Sequence, residues 1–300
     1  MAYFVQELFV GLALGCVYAL VALGFTIIFK ASGVINFAQG EFLLVGTYIV
    51  SVAIFEWHLN FFIALAIGIA ATVAIGLLFE RFALRRMLGR PVFSIVMITI
   101  GLDILLLQGV TISVGSKSPS SPTVFGFDSS VVVGGVTLGF NAIGAIVVTI
   151  LICAALYVFF RYTRYGLAMR ATALDQEAAL AMGIKTTTVY ALAWGIAGAV
   201  ATLGGILLLG ISNPTFDITL GQTALLAFPA IILGGLDSIP GAVVGGIIIG
   251  LVQQLSAAYE SNFTHIIGTG FHNIAPYLVM IVVLLVRPYG LFGTRKVERI

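Results

Sequence analysis

The chain has 300 residues, of which 60% are hydrophobic and only 9% are charged, and its net charge is +2. A soluble domain carries about 25% charged residues, so this composition excludes a water-covered globular protein and indicates an integral membrane protein. The small net charge gives no reason to expect a nucleic-acid partner.

Long uncharged runs recur along the chain, and a helix needs about 20 apolar residues to cross the hydrocarbon core. Strands of a membrane barrel would alternate apolar and polar residues over about 10 positions, which these runs do not do. They predict an all-α, polytopic helical bundle of about 8–10 spans. In chain order, spans are expected near residues 8–29, 41–57, 59–80, 92–112, 141–160, 188–210, 222–236, 240–258 and 273–287.

Two stretches of this pattern are interrupted. Within 30–57 and 222–258 the apolar runs are short or broken by glycine and proline, so half-helices or re-entrant segments are expected there. Glycine pairs spaced four residues apart predict close helix crossings, because glycine presents no side chain where two backbones meet. The pairs are Gly11 with Gly15, Gly241 with Gly245, and Gly246 with Gly250.

The basic residues predict the orientation, since cytoplasmic loops of membrane proteins collect lysine and arginine. Most of them fall within 81–90, 161–185 and 287–299. Residues 161–187 are therefore expected to form a cytoplasmic loop and 288–300 a cytoplasmic tail of a single transmembrane domain, 1–300. The long loop 113–140 is expected outside, as is the N-terminus, and whether that loop forms a small hairpin or a lid stays open.

No catalytic constellation stands out in the sequence. The phosphate-binding pattern G-x-x-x-x-G-K-[ST] is absent, and the histidines His58, His265 and His272 do not cluster as a zinc site requires. We expect a transport protein that has neither an ATPase site of its own nor a cofactor or metal. A membrane hydrolase or transferase is the enzymatic alternative.

Polar groups at membrane depth are costly and mark solute pathways. Asn36, Gln39 and Glu41 lie between two apolar runs in the segment SGVINFAQGEF, where flanking glycines favour a break in the helix. Asp103 lies near the middle of its span. These four residues are the candidate pathway, and water is expected to reach the first three. The competing interpretations are a cytoplasmic turn for the segment and a packing role for Asp103.

A short charged stretch, TALDQEAALAMGIK (172–185), lies in the predicted cytoplasmic loop. Thr172 and Asp175 fit a capping box and Gly183 a C-terminal stop, which together predict a helix over 173–182. At about 15 Å this helix is too short to cross the membrane. It carries acids and alanines where a helix lying on the membrane would carry bases and large apolar residues, which favours docking on a protein partner.

Four segments resemble a known family. EAALAMG (177–183) is similar to the E-A-A-x-x-x-G loop by which permeases of bacterial ABC importers dock on their ATPase subunits. GVINFAQGE (33–41), GGLDSIPGAVVGG (234–246) and RPYGLFG (287–293) resemble segments of the LivH-type permeases of branched-chain amino acid importers. The resemblance spans residues 8–293.

The resemblance implies a BtuC-like permease of the larger ABC importer class in a bacterial inner membrane. Membrane lipid is a partner that the composition already requires. The resemblance implies three more kinds of partner: a second permease of the LivM type, two cytoplasmic ATPases and an extracytoplasmic solute-binding protein. The short helix would be the coupling helix, and its candidate ATPase-coupling residues are Asp175, Glu177, Ala178, Ala179 and Gly183.

The resemblance leaves the solute open. Branched-chain or related amino acids are expected, with urea or short amides as the alternative within the family. Asp237, at a position where the family more often has glycine, and Asp103 depart from the family pattern. A stand-alone secondary transporter or channel is the alternative from a different class.

Overall fold

The computed structural model describes residues 2–87, 90–115, 120, 122, 129–212 and 215–293, and most of these are helical. The first half contains α1 (Ala2–Ser32), α2 (Gln39–Phe55), α3 (Phe61–Phe79), a π-helical turn (Glu80–Leu84), α4 (Arg85–Met87), α5 (Val92–Val114), β1 (Ser130–Val133), β2 (Val136–Gly139) and α6 (Phe140–Tyr162). The second half contains α7 (Arg164–Leu174), α8 (Gln176–Ala181), α9 (Thr186–Ser212), α10 (Leu220–Ala224), α11 (Ala227–Gly234), α12 (Ile239–Ile267) and α13 (Phe271–Val286).

The described part of the chain contains six helices long and apolar enough to cross a bilayer. Three shorter apolar segments, Gln39–Phe55, Leu220–Gly234 and Phe271–Val286, accompany them. These nine segments correspond to the nine expected spans, so the predicted polytopic helical bundle is confirmed. Two of the short segments fall in the stretches predicted to be interrupted.

Helix α1 lies in the centre of the bundle. In an apolar 18-residue stretch of α1, 89% of the residues are buried, whereas only 17% are buried in the corresponding stretches of α5 and α6. Its main neighbours are α12 and α9. The helices α3, α5 and α6 surround this centre, and their exposed apolar side chains suit contact with lipid.

Glycines allow α1 and α12 to touch backbone to backbone. A Cβ atom on Gly250 would overlap the backbone of Gly15, and a Cβ on Gly15 would lie 2.7 Å from the Cα of Ile247. Beside this crossing the Tyr18 hydroxyl donates to Oε1 of Gln253 at 2.5 Å. The predicted close crossing is therefore confirmed, and a buried hydrogen bond fixes its register.

A second close crossing joins α3 to α9. The hydroxyls of Thr72 and Thr202 lie 2.8 Å apart, and the Thr72 hydroxyl is also 3.1 Å from the backbone carbonyl of Gly198. Hydrogen bonds of this kind stabilise helix pairs inside membranes by roughly 0.6 kcal/mol on average. The contact fixes α3 at a defined height on α9.

The chain breaks between α1 and α2, as predicted. Gly33 has a φ of +69°, a left-handed conformation that glycine adopts without strain, and α2 begins only at Gln39. The Gln39 side chain donates to the carbonyl of Ala197, eleven residues beyond the first residue of α9, Thr186. At 1.5 Å per residue that is about 16 Å along α9. Helix α2 thus begins deep inside the bundle.

Two of the segments that carry the family resemblance contact each other. The backbone amides of Leu291 and Phe292 donate to the carbonyls of Leu233 and Gly234, so the chain after α13 satisfies the last carbonyls of α11. The Lys30 amine donates to the carbonyl of Asp237 in the adjoining loop. The end of α1, the loop before α12 and the residues after α13 therefore lie at one end of the bundle.

The described part of loop 113–140 contains a small antiparallel hairpin, in which Ser130 pairs with Gly139. Gly134 and Gly135 have φ values of +61° and +81°, as the commonest two-residue hairpin turn requires. Of the two possibilities left open for the loop, the hairpin is present. Residues 116–119, 121 and 123–128 of this loop, and 294–300 of the predicted tail, lie outside the described residues.

Candidate functional site

Two short helices, α7 and α8, occupy the region where one helix over 173–182 was predicted. The Thr172 hydroxyl donates to the carbonyl of Ala168 within α7, so it does not cap a following helix. Asp175 takes that role: its Oδ1 atom accepts from the amide of Ala178 at 2.9 Å. The predicted capping box is therefore wrong, because a hydroxyl inside α7 finds a local acceptor.

The predicted stop at Gly183 is confirmed. Its φ is +82°, its amide donates to the carbonyl of Leu180, and the next amide, of Ile184, donates to the carbonyl of Ala179. This double hydrogen bond is a Schellman motif, which ends helices at a left-handed residue. Since Asp175 caps the other end, α8 has both termini fixed by local hydrogen bonds.

Four of the five candidate coupling residues lie on the exposed side of this helix pair: Asp175, Glu177, Ala178 and Gly183. The fifth, Ala179, is only 4% exposed, so it packs α8 against the protein. Two apolar side chains that were not among the candidates project strongly, with Leu174 89% and Met182 83% exposed. The sequence could have indicated these two residues, because both are apolar and lie at the ends of a short polar helix.

Asn36 and Gln39 form one buried network. The Asn36 amide nitrogen donates to Oε1 of Gln39 at 3.3 Å, and its Oδ1 accepts from the backbone amide of Ala38. Asn36 thereby satisfies a backbone amide at the break, and the bond from Gln39 to the carbonyl of Ala197 joins the break to α9. Both side chains are fully buried, and the access of water to them stays a prediction.

Glu41 is also buried, but its surroundings differ. It is 4% exposed, and its Oε2 atom has no hydrogen-bond partner among the described residues. Gly221 of α10 lies against the carboxylate, where a Cβ would come within 2.9 Å of Oε2. Asp103 lies half-buried on α5, a helix that packs against α2. The structure thus places Gly221 against Glu41 and groups Asn36 with Gln39.

This arrangement can hold a polar group at mid-depth but offers no metal cage. Within the described ranges no three His, Cys, Asp or Glu side chains lie close enough together to bind a metal ion. The unpartnered carboxylate oxygen of Glu41 is costly in a bundle interior. Because Gly221 of the short α10 lies against the carboxylate, a shift of α10 would change that oxygen's environment.

Comparisons with known proteins agree along the length of the chain. The profile of a family described as "Branched-chain amino acid transport system / permease component" matches residues 8–286. The permease protein LivH of the high-affinity branched-chain amino acid transport system of Escherichia coli (strain K12) is 34% identical, with 99% of this chain and 98% of the relative covered. The corresponding permease protein BraD from Pseudomonas aeruginosa is 33% identical, and the match again covers 99% of this chain and 98% of the relative.

An archaeal relative, a probable branched-chain amino acid transport permease protein LivH of Methanocaldococcus jannaschii, is 30% identical over 94% of this chain and 90% of its own. Among solved structures, PsaBC from Streptococcus pneumoniae in complex with Fab superposes with a TM-score of 0.53. That match covers 95% of this chain and 92% of the other at 15% identity, so it supports the fold alone.

Proposed function

This chain belongs to the permease family of the branched-chain amino acid transport systems, and we propose that it is the membrane subunit of an ATP-driven importer for branched-chain or related amino acids. It forms the translocation pathway together with a second, related permease. Two cytoplasmic ATPases supply the energy, and an extracytoplasmic binding protein delivers the solute.

The observation that carries the proposal is the form of α8. Its ends are fixed by Asp175 and Gly183, and apolar knobs at Leu174 and Met182 project beside the acid of Glu177. Such a rigid, shape-specific surface suits a groove on a protein partner. Membership of a family of transport-system permease components supports a partner as the source of the energy.

Association with ATPases tests this proposal directly. The permease, expressed with its partner permease and the two ATPases, is expected to co-purify with them. When the binding protein is also supplied, the complex is expected to take up leucine only when ATP is present. Glu177→Ala is expected to reduce both co-purification and uptake. The control is Glu56→Ala, which should leave both unchanged, because Glu56 is an exposed acid at the C-terminal end of α2. Leucine uptake by the permease alone in liposomes without ATP would instead identify a secondary transporter. Uptake of urea but not leucine would assign the alternative solute.

For Glu41, a conservative change can distinguish a role in the solute pathway from a role in packing. Glu41→Gln keeps the side chain's size and removes the charge, so it should not lower the thermal midpoint of the purified permease, since a charged carboxylate inside a membrane bundle costs about 2.5–3.5 kcal/mol. Uptake by the reconstituted complex should fall severalfold if the carboxylate serves the pathway. A lower midpoint with normal uptake would make Glu41 a packing residue.

A further inference from the structure

Helix α7 lies against the bundle along one narrow face. Its buried residues recur every third position, at Gly166, Met169 and Thr172. A Cβ on Gly166 would overlap the backbone of Phe159 and Phe160 at the end of α6. Helix α7 therefore folds back closely onto α6, and its orientation is fixed by a contact that only glycine permits.

The opposite face of α7 combines apolar and basic side chains. Leu167 and Leu174 are 60% and 89% exposed, and the exposed Arg164 and Arg170 lie on either side of this ridge by helical position. The sequence of α7, RYGLAMRATAL, has no acidic residue. An apolar ridge flanked by bases is typical of a helix that lies in the headgroup region of a membrane.

Each arginine shares a cavity with a lysine from another element. Arg170 and Lys30 line a cavity of about 50 Å³ with an apolar floor that includes Ile27 and Met169. On the other side of α7, Arg164 and Lys185 line a cavity of about 250 Å³ at the start of α9.

Among the described residues, no acidic side chain lines either cavity. The Lys30 amine donates to the backbone carbonyl of Asp237, and the carboxylate of Asp175 caps α8. Paired cations above an apolar floor suit a phosphate that is attached to an acyl chain.

The end of α6 has the composition of a membrane boundary. Tyr157 and Tyr162 are exposed there, and the Arg161 guanidinium lies 5.7 Å from the centre of each ring. Arg161 also donates to the Tyr157 hydroxyl at 2.6 Å. Tyrosine is enriched where the hydrocarbon meets the headgroups. Because α7 starts two residues after Tyr162, it begins at that boundary.

We propose that α7 is an interfacial helix whose two basic cavities, Arg170 with Lys30 and Arg164 with Lys185, bind the phosphates of anionic phospholipids in the cytoplasmic leaflet. Leu167 extends into the boundary with the acyl chains. The neighbouring α8 differs in charge, since it has Glu177 and no base. The membrane covers α7 around Leu167, and the partner protein covers α8 together with Leu174, the last residue of α7.

Lipid binding to the full-length permease in mild detergent tests this proposal without any transport measurement. Phosphatidylglycerol and phosphatidylcholine are titrated separately, and bound lipid is counted by native mass spectrometry. Each base near an anionic surface contributes about fivefold, so Arg164→Gln with Arg170→Gln should weaken phosphatidylglycerol binding about thirtyfold. Binding of phosphatidylcholine should not change. Arg86→Gln with Arg90→Gln removes the same charge from exposed sites elsewhere and should leave both lipids bound as in the wild type.

Three results would overturn the assignment. Equal loss in both double variants would mean that charge in general, and not these cavities, attracts the lipid. Displacement of phosphatidylglycerol by inorganic phosphate at matched ionic strength would identify a site for soluble anions. In the assembled complex in nanodiscs, Leu167→Cys carrying a fluorophore should be quenched by a lipid-borne quencher. Protection of that label by the ATPases, with no lipid quenching, would assign the face to the partner protein.

Discussion

Gly250→Ala is expected to disrupt the assembled bundle, although it adds a single methyl group. The new Cβ would overlap the backbone of Gly15, and backbone atoms cannot move aside as a side-chain tip can. Helices α1 and α12 would have to separate along their contact, and overpacking of this kind typically costs about 1–3 kcal/mol. The purified permease should show a clearly lower thermal midpoint, measured by the loss of its monodisperse size-exclusion peak on heating.

The matched control is Gly109→Ala in α5. A Cβ there would meet nothing within 4 Å, and alanine favours a helix interior over glycine by about 1 kcal/mol. The thermal midpoint of this variant should equal or exceed that of the wild type. If both variants melt at the wild-type temperature, α1 and α12 do not cross at Gly250, and the central packing described above is incorrect.

Gly183→Ala is expected to uncouple the transporter while leaving the bundle intact. Alanine at a φ of +82° costs roughly 1–2 kcal/mol, enough to disturb the Schellman motif that ends α8. The lost motif would change the position of Met182 and the direction in which the chain enters α9. Solute-stimulated ATPase activity of the reconstituted complex should fall severalfold, while the thermal midpoint of the permease changes little because Gly183 is exposed.

Gly183→Asn supplies the comparison, because asparagine is the residue that most often replaces glycine at left-handed helix ends. It should retain more stimulated activity than Gly183→Ala despite its larger side chain. A larger loss in the asparagine variant would mean that Gly183 is needed for close contact with the partner rather than for its backbone conformation.

The sequence predicted those features that depend on neighbouring residues. The break after Gly33 and the stop at Gly183 follow from glycine conformations, and the crossing at Gly15 follows from its spacing with Gly11. The capping box failed because the Thr172 hydroxyl can either accept from the amide of Asp175 or donate to the carbonyl of Ala168, and the sequence does not indicate which bond forms. The break, the stop and the Thr172 bond are decided within a turn or two of helix, whereas the glycine spacing predicts a close crossing without indicating which helix is the partner.

The features that the sequence did not predict depend on partners far along the chain. The residues near Glu41 in the sequence do not predict that Gly221 lies against its carboxylate. Likewise, RPYGLFG and GGLDSIPGAVVGG are recognisable as separate segments, but their contact through Leu291 and Leu233 is visible only in three dimensions. The arginines of α7 predicted which side faces the cytoplasm, while their arrangement around Leu167 required knowledge of where the helix begins.

The central helix of the bundle, α1, is made before the helices that will bury it. During synthesis α1 enters the bilayer long before the residues that surround it exist. The acceptor for Tyr18 is 235 residues further along the chain, and the acceptor for Gln39 is 158 residues further. Until α9 and α12 arrive, these polar groups face lipid or the insertion machinery. A chain whose synthesis stops before α12 would thus leave its most deeply buried helix exposed, a state that membrane proteases can recognise.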